Sequence, residues 1–294
     1  MDFLTNSLVF ELKLGGERRG VYTHYLKNRT ALACLAALLL FVLLAASLAG
    51  ARAVAGRQHL PLDLTDVPVL NYHKVDTVDH GLSLTPVEFE DQIRHLAENG
   101  YHSITPDQLM GYLKYGRHLP DKPVLITFDD GYADNYANAY PILRKYGFTA
   151  TIFLITGFTG ADDRYMTWDQ VREMHKNGFV FGSHTVSHQP LTKITAEQAA
   201  AELAESAGEL ERQLGVKPRY FAYPTGAYTL RIEELVRQAG YRAAFTTRFG
   251  QVGLESDPYA LERIPIYHSG KTFRSFYCRL TAAPLLERLS IFKN

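Results

Sequence analysis

The chain has 294 residues, longer than an average domain and ordinary for one α/β barrel. Lysine and arginine together number 31, as do aspartate and glutamate, so nothing in the composition indicates a nucleic-acid partner. Two cysteines, Cys34 and Cys278, exclude a disulfide framework, and a 46% hydrophobic content is ample for a core.

Between Arg29 and Arg52 run 22 uncharged residues, mostly Ala and Leu. As a helix they would span roughly 33 Å at about 1.5 Å per residue, enough to cross a bilayer. Residues 1–29 carry more Lys and Arg than Asp and Glu, which keeps that end cytoplasmic and places everything after Arg52 outside. A cleaved signal peptide is the alternative, because Ala49-Gly50-Ala51 and Ala51-Arg52-Ala53 both fit a small-x-small cleavage site. Either way the rest is exported. The expected organisation is a cytoplasmic segment 1–29, an anchor 30–51, a tether 52–66 and a catalytic domain 67–294.

From Val67 a unit recurs: a short apolar strand, a polar turn, an amphipathic helix, then glycine and the next strand. Strands are expected at Val67–Tyr72, Tyr101–Thr105, Pro123–Phe128, Thr149–Ile155, Phe179–Ser183, Arg219–Tyr223 and Ala243–Thr247. Thr85, Thr167 and Thr195 are each followed three residues later by Glu or Gln, the capping-box signature of a helix start. Gly100, Gly147, Gly178, Gly215 and Gly240 mark the stops. Alternation of this kind predicts a parallel sheet, and about seven units in roughly 200 residues favour a closed or nearly closed (β/α) barrel. A last amphipathic helix is expected at Pro284–Phe292.

The strand Val124-Leu125-Ile126-Thr127-Phe128 ends in Asp129-Asp130-Gly131. Two carboxylates at the end of a buried strand need a partner, and a metal ion supplies one. Other strand ends carry Asn71-Tyr72-His73, Ser183-His184 with His188, and Tyr223-Pro224-Thr225-Gly226. In a parallel barrel these ends share one face. His184 and His188, at i and i+4, can turn toward one ion, and with a strand-end Asp they make a two-His, one-carboxylate set. That leaves one carboxylate free as a base for a water acidified by the ion. The same triad serves iron oxygenases, a rival enzymatic class; the second carboxylate beside the ligand argues for hydrolysis.

Thr127-Phe128-Asp129-Asp130-Gly131, Ser183-His184-Thr185-Val186-Ser187-His188 and Phe221-Ala222-Tyr223-Pro224-Thr225-Gly226 together resemble the motifs of the polysaccharide deacetylases, the carbohydrate esterase family with a NodB-like domain. The resemblance covers about 67–267, with the motif-bearing core at about 122–268. It implies a distorted (β/α) barrel, a divalent metal that is usually zinc, and removal of acetyl groups from N-acetylglucosamine-containing polymers. It makes Asp129 the general base and Asp130, His184 and His188 the metal ligands. The backbone N–H of Thr225 becomes the oxyanion donor.

Many members carry Arg where this chain has Ala222. The Phe-Ala-Tyr-Pro pattern resembles the branch acting on poly-N-acetylglucosamine, in which the acid histidine lies near the N-terminus. His73 is therefore the expected general acid, with His268 as the alternative. The group that orients Asp129 must come from elsewhere; Arg263 is a candidate, an ordinary surface or ion-pairing role being the other reading. Tyr72 and Tyr223 could stack on sugar rings, although aromatics near strand ends more often belong to the core, and Pro224 joins them as a substrate-binding candidate. A barrel that binds glycan without turning it over, and a peptidoglycan or chitin-type substrate, are the competing functions.

Overall fold

A computed structural model describes residues 66–78, 81–266 and 275–281. The anchor, nearly all of the tether, His268 and the helix expected at Pro284–Phe292 lie outside these residues, and among the described residues no helix is long and apolar enough to cross a membrane.

In chain order the strands and helices are β1 (Val69–Tyr72), β2 (Lys74–Val75), β3 (Ser83–Leu84), α1 (Pro86–Glu98), β4 (His102–Ser103), α2 (Pro106–Tyr115) and β5 (Pro123–Phe128). There follow α3 (Tyr140–Lys145), β6 (Thr151–Leu154), α4 (Trp168–Lys176), β7 (Val180–Ser183), α5 (Ala196–Leu214), β8 (Tyr220–Ala222), α6 (Leu230–Gln238), β9 (Ala243–Phe249) and β10 (Leu261–Pro265). Seven strands close into a parallel barrel in the order β1, β10, β9, β8, β7, β6, β5 and back to β1.

Six of the seven expected strands belong to this ring. The segment expected at Tyr101–Thr105 contributes only the two-residue β4, which pairs with the first residues of β5 outside the ring. Its place is taken by β10, whose Glu-Arg pair and closing Pro disguise a strand. Thr105 instead starts a helix, because its side chain caps α2 in a fourth capping box with Gln108. The boxes at Thr85, Thr167 and Thr195 all form.

Helices cover the strands outside, so both strand faces are buried and β5 has no exposed residue. Alternation along β5 sends Val124, Ile126 and Phe128 to the layer under α1, α3 and α4, and Leu125 to the barrel interior with Phe153, Ala222, Phe245 and Leu261. On the other flank α5 buries Ala199, Leu203, Ala207 and Leu210 at helical spacing. Each such leucine contributes about 1.5–3 kcal/mol relative to exposure. Phe276 and Leu280 of the helical segment 275–281 pack on the layer that holds α1.

Candidate active site

The interior series on β5 runs Leu125, Thr127, Asp129, so the apolar filling of the barrel changes to polar groups at its C-terminal end. The Asp129 carboxylate is buried there and held from two sides. Arg263 of β10 grips it in a fork, Nη1 donating to Oδ1 at 2.8 Å and Nη2 to Oδ2 at 2.7 Å. Asn71 at the end of β1 donates from Nδ2 to Oδ2 at 2.9 Å. Arg263 is itself fully buried and is fixed by donating to the Thr246 carbonyl at 2.7 Å and to Thr127 Oγ1 at 3.2 Å. Burial alone would raise the Asp129 pKa, but the Arg263 guanidinium, with His184 and His73, outweighs it and holds the carboxyl well below the usual range. By the inventory of lone pairs, Oδ2 is saturated by its two donors while Oδ1 keeps room for a proton.

Asp130 follows with a positive φ of 73°, turning its side chain away from its neighbour's. It meets His184 and His188, whose Nε2 atoms stand 3.5 and 3.3 Å from Asp130 Oδ1. One ligand atom from each of the three lies within 4.8 Å of the others. His184 Nδ1 donates to the Ala222 carbonyl at 2.7 Å, which leaves its Nε2 lone pair facing Asp130. Asp130 Oδ1 is buried without a hydrogen-bond donor among the described residues. One carboxylate oxygen and two imidazole nitrogens thus converge, and a divalent cation fits that donor set. Burial raises the Asp130 pKa and lowers those of both histidines, so without a cation each is pushed toward its neutral form.

The loop 184–188 is held in this conformation by contacts the sequence does not advertise. Thr185 and His188 have positive φ values of 69° and 61°, a backbone cost of order 1–3 kcal/mol each that surrounding contacts must offset. Glu202, one helix away on α5, accepts from the Val186 and Ser187 N–H groups at 2.8 and 3.0 Å and from Ser187 Oγ at 2.5 Å. On the other side the Gly157 N–H donates to the Val186 carbonyl at 3.0 Å.

His73 comes off the end of β1, its Nε2 3.9 Å from Asp129 Oδ2. Burial lowers its pKa; Asp129 opposes that and Arg263 reinforces it. Thr225 lies in the tight turn after β8, exposed and with φ of 60°. The turn is pinned by Gly226, where an added Cβ would come within 2.0 Å of Thr247 Oγ1.

The three substrate-binding candidates lie in the core. Tyr72 is fully buried, its hydroxyl on Gln92 and its ring against Phe89 and Phe128. Tyr223 is fully buried too, donating to the Tyr259 carbonyl and stacked with Tyr228. Pro224 is also buried. None of these three offers a surface to a sugar ring: the strand-end aromatics fill the core. Two roles are absent from the sequence pattern: Asn71 was among the strand-end residues without an assigned part, and Glu202 carries no local signal.

The family model for polysaccharide deacetylase matches residues 116–244. Over 212 residues the chain is 34% identical to YxkH of Bacillus subtilis, a polysaccharide deacetylase by name, covering 71% of this chain and 75% of that protein. The chain belongs to the polysaccharide deacetylase family.

A poly-beta-1,6-N-acetyl-D-glucosamine N-deacetylase of Staphylococcus aureus is 28% identical over 225 residues, 67% of this chain and 77% of its own length. Among solved structures, the Streptococcus pyogenes deacetylase PplD in complex with acetate superposes with a TM-score of 0.67 at 30% identity, covering 69% of this chain and 93% of its own. IcaB from Ammonifex degensii gives 0.65 at 29% identity, covering 73% and 97%. This deacetylase is therefore a hydrolase of carbohydrate amides.

Proposed function

We propose that the chain is a metal-dependent N-deacetylase of poly-N-acetylglucosamine, held outside the cytoplasm by the apolar segment 30–51. The observation that carries the chemistry is the division of Asp129 and Asp130: adjacent in sequence, one is locked to Arg263 and the other faces two histidines. A divalent ion, zinc by family resemblance, would be held by Asp130, His184 and His188 and would supply Lewis acidity toward the acetyl carbonyl and the attacking water.

Asp129 takes the proton of that water on Oδ1, the oxygen with spare acceptor capacity. Its depressed pKa keeps it ionised and ready across the neutral range. The Thr225 N–H, presented by an exposed strained turn, donates to the carbonyl oxygen as negative charge develops on it. His73 delivers a proton to the departing nitrogen, so the C–N bond breaks to acetate and a free amine. Arg263 positions the base, the part that Ala222 does not play.

The poly-N-acetylglucosamine substrate is supported by the S. aureus and IcaB relatives and by the Phe221-Ala222-Tyr223-Pro224 pattern. The test is acetate release by the purified chain from poly-β-1,6-N-acetylglucosamine, chitin oligomers and peptidoglycan side by side. Preference for the first supports the reading. Preference for either of the others overturns the substrate class, and binding to any polymer without acetate release makes the chain a glycan-binding barrel.

A further inference from the structure

The loop after β5 continues Asp129-Asp130-Gly131 into Asp134, a π-helical turn Asn135–Ala139 and α3. Turns of this kind are rare and recur at functional sites. Here the turn and Asp134, which immediately precedes it, aim three side chains at the backbone that carries His73. Asn135 Nδ2 donates to the His73 carbonyl at 2.8 Å, Asp134 Oδ1 accepts from the Val75 N–H at 2.8 Å, and Asn138 Nδ2 donates to the Val75 carbonyl at 2.7 Å. Asn135 Nδ2 also donates to Asp134 Oδ1 at 2.9 Å, joining the first two grips. Asn135 is buried, so its orientation is set by the fold.

These bonds extend a seam that begins lower in the barrel. Thr127 Oγ1 donates to the Leu70 carbonyl at 2.7 Å, and the Asp129 N–H donates to the Tyr72 carbonyl at 3.0 Å. Asn71 joins Asp129 through its side chain. From Leu70 to Val75 the segment bearing the histidine is thus tied, step by step, to the segment bearing the aspartate. A ring 3.9 Å from that carboxylate moves with its own backbone, and beyond Tyr72 the strand pairing with β5 has ended.

We infer that Asn135, with Asp134 and Asn138, is a positioning residue for His73: the π-helical turn fixes where the proton donor stands relative to the base. This rests on the reading of His73 as general acid. Hydrolysis of an amide needs the departing nitrogen protonated, whereas 4-nitrophenyl acetate expels a phenolate that needs no proton. Loss of the clamp therefore lowers amide turnover more than ester turnover, while general damage to the site lowers both alike.

The experiment measures kcat for an N-acetylglucosamine oligomer and for 4-nitrophenyl acetate in the parent and in Asn135→Ala, Asn138→Ala and His73→Asn, with folding followed by thermal melts. The amide-to-ester ratio is expected to fall about tenfold in Asn135→Ala and less in Asn138→Ala. Both are fractions of the roughly 10²–10⁴ that acid–base catalysis supplies. If Asn135→Ala does not fold, Asn138→Ala, at a half-buried position, carries the test. An unchanged ratio in the folded clamp variants, with a lowered ratio in His73→Asn, overturns the inference alone. An unchanged ratio in His73→Asn overturns the acid assignment beneath it.

Discussion

Arg263→Met removes the guanidinium that faces Asp129 from inside the barrel while keeping an unbranched apolar stem. The parent pair is buried on both sides and bidentate. Breaking such a pair costs about 3–5 kcal/mol, because the remaining charge is left in a dry site. Burial is the largest influence on Asp129 and acts to raise its pKa; with the guanidinium gone, it prevails and the carboxyl takes up a proton. Two results follow. Urea unfolding at pH 7 loses about 3–5 kcal/mol, and the acid limb of kcat/KM moves upward, so that activity missing at pH 6 returns as the pH is raised. Combining Arg263→Met with Asp129→Asn removes both charges and recovers most of the lost stability, as a double-mutant cycle reads directly. A single variant with the parent's urea midpoint and an unmoved acid limb would refute the reasoning.

Other outcomes are expected from the same geometry. Glu202→Gln loses one acceptor of the 184–188 loop and should weaken zinc binding about 10–100-fold in competition with a chelating dye, the range for groups that orient ligands; parental affinity contradicts it. In metal-free protein the folded pKa values of His73, His184, His188 and His95 are lowered, so they contribute stability that is present above an unfolded value of about 6.5 and lost as pH falls below it. Asp130 and Asp134, raised by burial, oppose this. The melting temperature of chelated protein should fall between about pH 7 and 5, and His188→Gln should flatten the slope; an unaltered slope counts against it. Gly226→Ala drives a Cβ into Thr247 at a φ of 75°. A cost of about 1–3 kcal/mol is expected in thermal melts, with a drop in kcat as the Thr225 N–H shifts; neither effect would be compatible with the turn described.

What could be read from the sequence was whatever lies close together along the chain. Asp129-Asp130 and His184 to His188 are contiguous, sit at strand ends, and needed only a parallel barrel to bring them face to face. Three helix starts were legible because a capping box is complete within four residues; the box at Thr105 went unread because its Thr closes a segment with the pattern of a strand. β10 was missed because a strand with a buried arginine has the composition of a surface turn, and only the fold shows that Arg263 is neutralised 134 residues away by Asp129. Tyr72 and Tyr223 stayed open between core and sugar platform, because a strand-end tyrosine looks the same from sequence whether its hydroxyl meets solvent or, as here, Gln92 and the Tyr259 carbonyl. Glu202 and Asn135 act on backbone atoms of other segments, and no side-chain pattern encodes such a contact.

The most direct measurement is amine release from poly-β-1,6-N-acetylglucosamine by the purified chain as isolated, after exhaustive chelation, and after zinc is restored, with Asp130→Asn alongside. Activity that vanishes on chelation, returns with zinc and stays absent in Asp130→Asn is the predicted result. Turnover that survives chelation, or persists in Asp130→Asn, would contradict the account.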